Sequence, residues 1–122
     1  MTGSNVLVVD DDTDIRDLVA LKLQAAGLNV DTAHDGVAGL EKASTGNYGV
    51  IILDVMMPGL SGIDVLQSLR TAGIQTPVIM LTAKTQEHDV EAGFTAGATD
   101  YVSKPFSPRE LLARVNALLQ RA

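Results

Sequence analysis

The chain has 122 residues, a formal net charge of −6, 46% hydrophobic residues, 3% aromatic residues and no cysteine. That length fits a single domain, residues 1–122, whose core must be filled by aliphatic side chains. The composition excludes disulfides and thiolate metal sites, speaks against direct nucleic-acid contact by so acidic a domain, and offers no aliphatic run near the length of a membrane span.

The opening residues Met1-Thr2-Gly3-Ser4-Asn5 lack a basic stretch followed by an apolar one, so no signal peptide is expected and the location is read as cytoplasmic. Val6-Leu7-Val8-Val9 is apolar at every position, as central parallel strands are, and runs into Asp10-Asp11. Asp12-Thr13-Asp14 supplies a cap and acids to a first helix, with Ile15, Leu18 and Val19 as its inner stripe and Gly27 as its stop. Leu28 to Ala33 alternates apolar and polar residues and predicts an edge strand; Asp35 then caps a second helix that runs to about Ser44.

Val50-Ile51-Ile52-Leu53 repeats the fully apolar pattern and runs into Asp54. A third helix follows Ser61-Gly62 and ends near Gly73, and Val78-Ile79-Met80-Leu81 then runs into Thr82. Thr85 caps a fourth helix. Gly93 inside it, like Gly39 inside the second, costs about 1 kcal/mol relative to Ala; with Thr95 as well, the fourth is expected to be the most mobile. Tyr101-Val102-Ser103 is a short edge strand that meets Lys104-Pro105. Ser107-Pro108-Arg109-Glu110 opens a fifth helix with Ser as cap, Pro in the first turn and Glu three residues on, and Leu111, Val115 and Leu118 face inward.

Strand-length runs alternate with helix-length segments five times, which is the pattern of an α/β fold with a parallel sheet covered on both faces. In such a sheet the carboxyl ends of the strands share one edge, and ligands bind there. Asp10, Asp11, Asp54, Thr82 and Lys104 should therefore meet in one pocket. Adjacent carboxylates resist joint ionisation, so three of them call for a cation. Hard oxygen ligands with no His or Cys nearby point to Mg²⁺. An Asp carboxylate can act as a nucleophile toward phosphorus, with Lys104 and the Thr82 hydroxyl holding phosphoryl oxygens. His34 and His88 are read as surface residues, since neither has a second ligand beside it. A calcium loop starting at Asp10 would want Gly and Glu where Ile15 and Leu21 stand.

Four motifs in order resemble the receiver domains of two-component response regulators: Val8-Val9-Asp10-Asp11-Asp12; Asp54-Val55-Met56-Met57-Pro58-Gly59-Leu60-Ser61-Gly62; Leu81-Thr82-Ala83-Lys84; and Asp100-Tyr101-Val102-Ser103-Lys104-Pro105-Phe106. The resemblance runs from about Asn5 to Arg121. It implies a flavodoxin-like, doubly wound (βα)5 sandwich with a five-stranded parallel sheet in the order 2-1-3-4-5. It also implies roles. Asp54 is the phospho-acceptor, Asp11 a direct Mg²⁺ ligand and Asp10 an acid that holds the metal through water. The Met56 backbone carbonyl is a further ligand, Lys104 binds the phosphoryl group, and the Lys104-Pro105 bond is cis. Thr82 and Tyr101 form a switch pair that biases the face made of the fourth helix, fifth strand and fifth helix.

The implied partners are a sensor histidine kinase or a phosphotransfer protein of a phosphorelay, and a downstream output domain or protein. The resemblance implies no separate enzyme activity, only self-catalysed phosphorylation and dephosphorylation of the aspartate. A phosphatase acting on an outside substrate is the alternative of a different class, and turnover of small phosphate esters would mark it. Met56 and Lys84 should line the path of the water that removes the phosphoryl group. The segment from Phe106 to Val115 is similar to receivers that carry a winged-helix DNA-binding domain. Asp100, Glu110, Arg114 and Arg121 match the charged pairs through which those receivers dimerise, but Val90, Thr95 and Thr99 stand where charges are usual. A monomer, or at most a weak dimer, is expected without phosphate.

Overall fold

The computed structural model describes residues 5–83 and 96–120. Their order is β1 (Asn5–Val9), α1 (Thr13–Ala25), β2 (Asn29–Ala33), α2 (Gly36–Thr45), β3 (Val50–Asp54), α3 (Gly62–Thr71), β4 (Val78–Ala83), β5 (Asp100–Lys104) and a C-terminal helix (Pro108–Gln120). The fourth-helix expectation, with Lys84, Thr85, His88, Val90, Gly93 and Thr95, lies outside the described residues, as does Arg121.

The five strands form one parallel sheet in the order β2-β1-β3-β4-β5. This is the flavodoxin-like order, with its reversal between β1 and β3. Residues 6–9, 50–53 and 78–81 of the central strands are apolar at every position because both faces of the sheet are covered. Leu7, Val9, Ile51, Leu53 and Met80 pack under α2 and α3 with Leu66 and Leu69. Val6, Val8, Ile52, Ile79 and Leu81 alternate with them and pack under α1 and the C-terminal helix with Leu23, Leu111 and Val115. The period of two assigns each residue to its layer.

α1 departs from the expected inner stripe. Val19, Ala20 and Leu23 are its buried residues, whereas Leu18 is 51% exposed. Ile15, Val19 and Leu23 follow a spacing of four, and Leu18 turns about 100° away from Val19 at 3.6 residues per turn. The C-terminal helix does bury Leu111, Val115 and Leu118. In α2, Gly39 has a packing role: a Cβ there would fall 2.7 Å from Cγ1 of Val9. Its small size lets α2 lie close against β1, where the first acidic loop begins.

Candidate functional site

Four strands deliver the polar residues. β1 ends at Val9, and Asp10 follows with 0% exposure; β3 ends on Asp54, which is 4% exposed. The register sets Val9 beside Leu53 and Asp54 beside Leu81, so the ends of β1, β3 and β4 finish level. β5 adds Lys104 opposite Ala83. One carboxylate oxygen each from Asp10, Asp11 and Asp54 lies within 4.8 Å of the others. Lys104 Nζ donates to Asp54 Oδ1 at 3.1 Å and stands 3.4 Å from Asp10 Oδ2. Above them is a basin of about 400 Å³ lined by Asp11, Asp12, Asp54, Met56, Ala83 and Lys104. The Met56 side chain is exposed on its rim.

The two oxygens of Asp10 have different surroundings. Oδ1 accepts the Asp12 N–H at 2.9 Å. Oδ2 is buried and accepts no hydrogen bond among the described residues. The nearby Lys104 ammonium, 3.4 Å away, offers it charge. A buried carboxylate oxygen left in that state is costly, and three carboxylates face one ammonium. A divalent cation with a preference for hard oxygen donors fits this donor set, and Mg²⁺, which takes few carboxylates and several waters, fits it well.

Burial pushes the Asp54 carboxyl up to about 7 from its ordinary 3.8; Asp10 adds to the rise, Lys104 works against it, and Asp11 adds a smaller push. Burial alone would lower Lys104, but the carboxylates of Asp54 and Asp10 outweigh it and hold the ammonium above its ordinary value. The site thus favours a charged lysine beside an acid that is hard to ionise until another cation arrives.

Thr82 is buried next to the site but does not line the basin, and its hydroxyl makes a long 3.4 Å contact to the Ala83 carbonyl. Tyr101 pairs in register with Met80, two residues before Thr82, and packs half-buried against the cluster under α2 and α3. Alternation along β4 puts Thr82 and Met80 on that same side. The Lys104-Pro105 peptide is cis. His34 is exposed and pairs with the neighbouring Asp35 at 3.3 Å.

Two residues have roles at the site that the sequence did not assign: Arg16 was not named, and Gly62 was named only as the start of the third helix and the end of the Asp54 motif. Arg16 donates through Nη1 to the Asp10 carbonyl at 2.9 Å. A signal existed in the placement of a cation near a helix N-terminus, where the dipole disfavours it. Gly62, at the start of α3, donates its N–H to the Val55 carbonyl at 3.0 Å, and a Cβ there would lie 2.2 Å from the Asp54 carbonyl oxygen. Its neighbour Ser61 forms a capping box with Asp64, which fixes the start of α3 against the end of β3.

The strand order defines a flavodoxin-like α/β protein, with three carboxylates and one ammonium gathered at one edge of its sheet. The chain belongs to the response regulator receiver domain family, whose pattern matches residues 6–116. It is 48% identical over 120 residues to the alkaline phosphatase synthesis transcriptional regulatory protein PhoP of Bacillus subtilis, covering 98% of this chain and 50% of that protein. It is 45% identical over 121 residues to the uncharacterized transcriptional regulatory protein YkoG of the same organism, covering 99% of this chain and 53% of that one. The chain therefore spans about half the length of the curated relatives it matches. Among solved structures, the receiver domain of the Francisella response regulator 1452 superposes with a TM-score of 0.90 at 44% identity, covering 96% of this chain and 97% of the other. Among the described residues, no helix is long and apolar enough to cross a membrane.

Proposed function

We propose that residues 1–122 form a single receiver domain that accepts a phosphoryl group on Asp54 from a histidine kinase or phosphotransfer protein, with Mg²⁺ bound by Asp10, Asp11, Asp54 and the Met56 carbonyl. The observation that carries this reading is buried Asp10, whose Oδ2 accepts no hydrogen bond among the described residues, set in a cluster of three carboxylates beside Lys104. In the transfer, an Asp54 carboxylate oxygen forms a bond to phosphorus while the bond from phosphorus to the donor nitrogen breaks and its electron pair stays on the imidazole. The cation supplies charge neutralisation for the incoming group. Lys104, already 3.1 Å from Asp54, turns to an oxygen of the phosphoryl group. Thr82 donates to another, and Tyr101 follows on the same face of the sheet.

The reaction is confined to the domain's own aspartate, so the product is a signalling state and not a released compound. Phosphate adds about −1.5 to −2 charges at neutral pH, and the face around β5 and the C-terminal helix carries the response to an output domain or protein. The transcriptional-regulator relatives support an output in transcription, with nucleic acid held by a partner region and not by this acidic domain. Arg114 pairs with Asp100 at 2.7 Å and Glu110 at 3.3 Å within the chain, and a monomer or weak dimer is expected before phosphorylation. A cytoplasmic location accords with such a partner set.

Acetyl phosphate with Mg²⁺ tests the reading. Intact mass should rise by one phosphoryl group in the wild type and not in Asp54→Asn. Full labelling of the mutant at another position, or no labelling of the wild type, would overturn it.

A further inference from the structure

Arg16 lies one turn into α1, and its side chain runs back toward the end of β1. Nη1 donates to the Asp10 carbonyl at 2.9 Å, and Nη2 reaches the Thr13 hydroxyl at 3.5 Å. That carbonyl belongs to the peptide that joins Asp10 to Asp11, so fixing it constrains both acids at once. The register pairing of β1 with β2 and with β3 ends at Val9, and one further backbone bond runs from the Asp10 N–H to the Ala33 carbonyl at 3.2 Å. The peptide therefore lies beyond the register that holds the strand.

Local bonds complete the frame. Asp12 donates its N–H to Asp10 Oδ1 at 2.9 Å, and Asp12 Oδ1 accepts the N–H groups of Asp14 and Ile15. With Asp10 Oδ1 engaged by the loop, Oδ2 is the oxygen turned to the site, where it has no hydrogen bond among the described residues. A cation this near a helix N-terminus is opposed by the dipole, so the helix itself gives no reason for an arginine here. The Asp10 carbonyl and the acids beyond it do.

We propose that Arg16 is a positioning residue for the divalent cation: its guanidinium holds the Asp10–Asp11 peptide so that both carboxylates meet the oxygen of Asp54. The inference rests on the reading that this cluster binds Mg²⁺. Two effects oppose each other. The positive charge of Arg16 repels a cation, while the fixed peptide organises its ligands. Charge at the surface is screened over about 8 Å at physiological salt, whereas partners that orient metal ligands typically change affinity 10–100-fold. Geometry therefore outweighs repulsion, and removal of Arg16 weakens binding.

The sign of the change is the test. Mg²⁺ is titrated calorimetrically at constant ionic strength into the wild type, Arg16→Gln, Arg16→Lys and Lys22→Gln, the last removing a cation from the far end of α1. Arg16→Gln should bind about tenfold more weakly. Arg16→Lys, which keeps the charge and can keep one bond to the carbonyl, should fall between it and the wild type. Lys22→Gln should stay within about twofold, since its charge lies at the other end of the helix. In the metal-free protein the Asp12 amide should exchange with solvent faster in Arg16→Gln than in the wild type, a readout independent of Mg²⁺. Unchanged or tighter binding by Arg16→Gln, with normal binding by the wild type, overturns the inference and leaves the site intact. Should Arg16→Gln fail to fold, Arg16→Lys decides, and an affinity equal to that of the wild type overturns the inference. A wild type that binds no Mg²⁺ removes the reading of the site and this inference with it.

Discussion

Lys104 Nζ stands 3.1 Å from Asp54 Oδ1, although the two residues are fifty positions apart in sequence. The contact follows from parallel pairing: β5 lies beside β4 and β4 beside β3, so the ends of all three strands meet at one edge. Lys104 also faces Asp10, and it works against the rise of the Asp54 pKa.

Replacement of Lys104 by Met should act on both the ground state and the reaction. Without the ammonium, burial and Asp10 act unopposed by it, so the Asp54 carboxyl should titrate above about 7 in metal-free protein. Loss of one preorganised donor to a developing anion lowers rates by about 10²–10³-fold, and phosphorylation by acetyl phosphate should slow on that scale. Carbon-13 carboxyl titration and labelling kinetics read the two effects separately. A lower Asp54 pKa in the mutant would refute the electrostatic assignment.

The raised Asp54 pKa gives a pH dependence of stability with a definite sign. Between the ordinary 3.8 and about 7, the folded protein keeps a proton that the unfolded chain has lost. Stability from this group is therefore present at low pH and declines as pH rises through that window. In metal-free buffer, Asp54→Asn should gain on the wild type across that range and melt several degrees higher at pH 8. Mg²⁺ should narrow the gap at pH 8, because it stabilises the ionised wild-type carboxylate. Thermal melts of both proteins at pH 4.5 and pH 8, with and without Mg²⁺, check each arm.

The pair Asp10 and Asp11 should show the same trade in a sharper form. Asn at position 10 keeps an oxygen to accept the Asp12 N–H, so the loop should survive the change. Double replacement by Asn removes two of the three clustered carboxylates. Mg²⁺ affinity should fall at least as far as the 10–100-fold seen when only orienting partners are lost. The metal-free protein should melt a few degrees higher, since like-charge repulsion is relieved. Calorimetric titration and melting curves on the same samples give both numbers.

How much of this was legible in the sequence depended on the range of the interaction. The strands at 6–9, 50–53 and 78–81 announced themselves because a two-sided sheet demands apolar residues at every position, and each run led into a polar residue. The strand order did not follow from periodicity; the four motifs carried it through the family resemblance, as they did the cis Lys104-Pro105 bond. Leu18 misled because hydrophobicity alone does not fix helix phase, and the phase was set by Ile15, Val19 and Leu23. Arg16 was passed over because its one signal, a cation near a helix N-terminus, does not name the backbone carbonyl it bonds. Gly39 looked like a defect in a helix, whereas its meaning lies in the distance to Val9 on another element. Thr82 and Tyr101 could be placed on their strands, but their side of the sheet required the register.

Gly62 carries the last prediction. A Cβ at this position would lie 2.2 Å from the Asp54 carbonyl oxygen and 3.0 Å from the Val55 Cα, both backbone atoms that no side-chain rotation can clear. The same glycine donates its N–H to Val55, whose own N–H donates to the Leu81 carbonyl, so the peptide after Asp54 is held between α3 and β4. Gly62→Ala must push one of these elements aside. Overpacking of this kind costs about 1–3 kcal/mol, which should lower the melting temperature by several degrees. Because the displaced backbone is that of Asp54, the 3.1 Å contact to Lys104 should open as well. Mg²⁺ affinity and the rate of labelling by acetyl phosphate should both fall in the folded mutant, measured well below its melting temperature. A mutant that melts lower but binds Mg²⁺ and labels like the wild type would show that the strain is taken up by α3, with the end of β3 left in place.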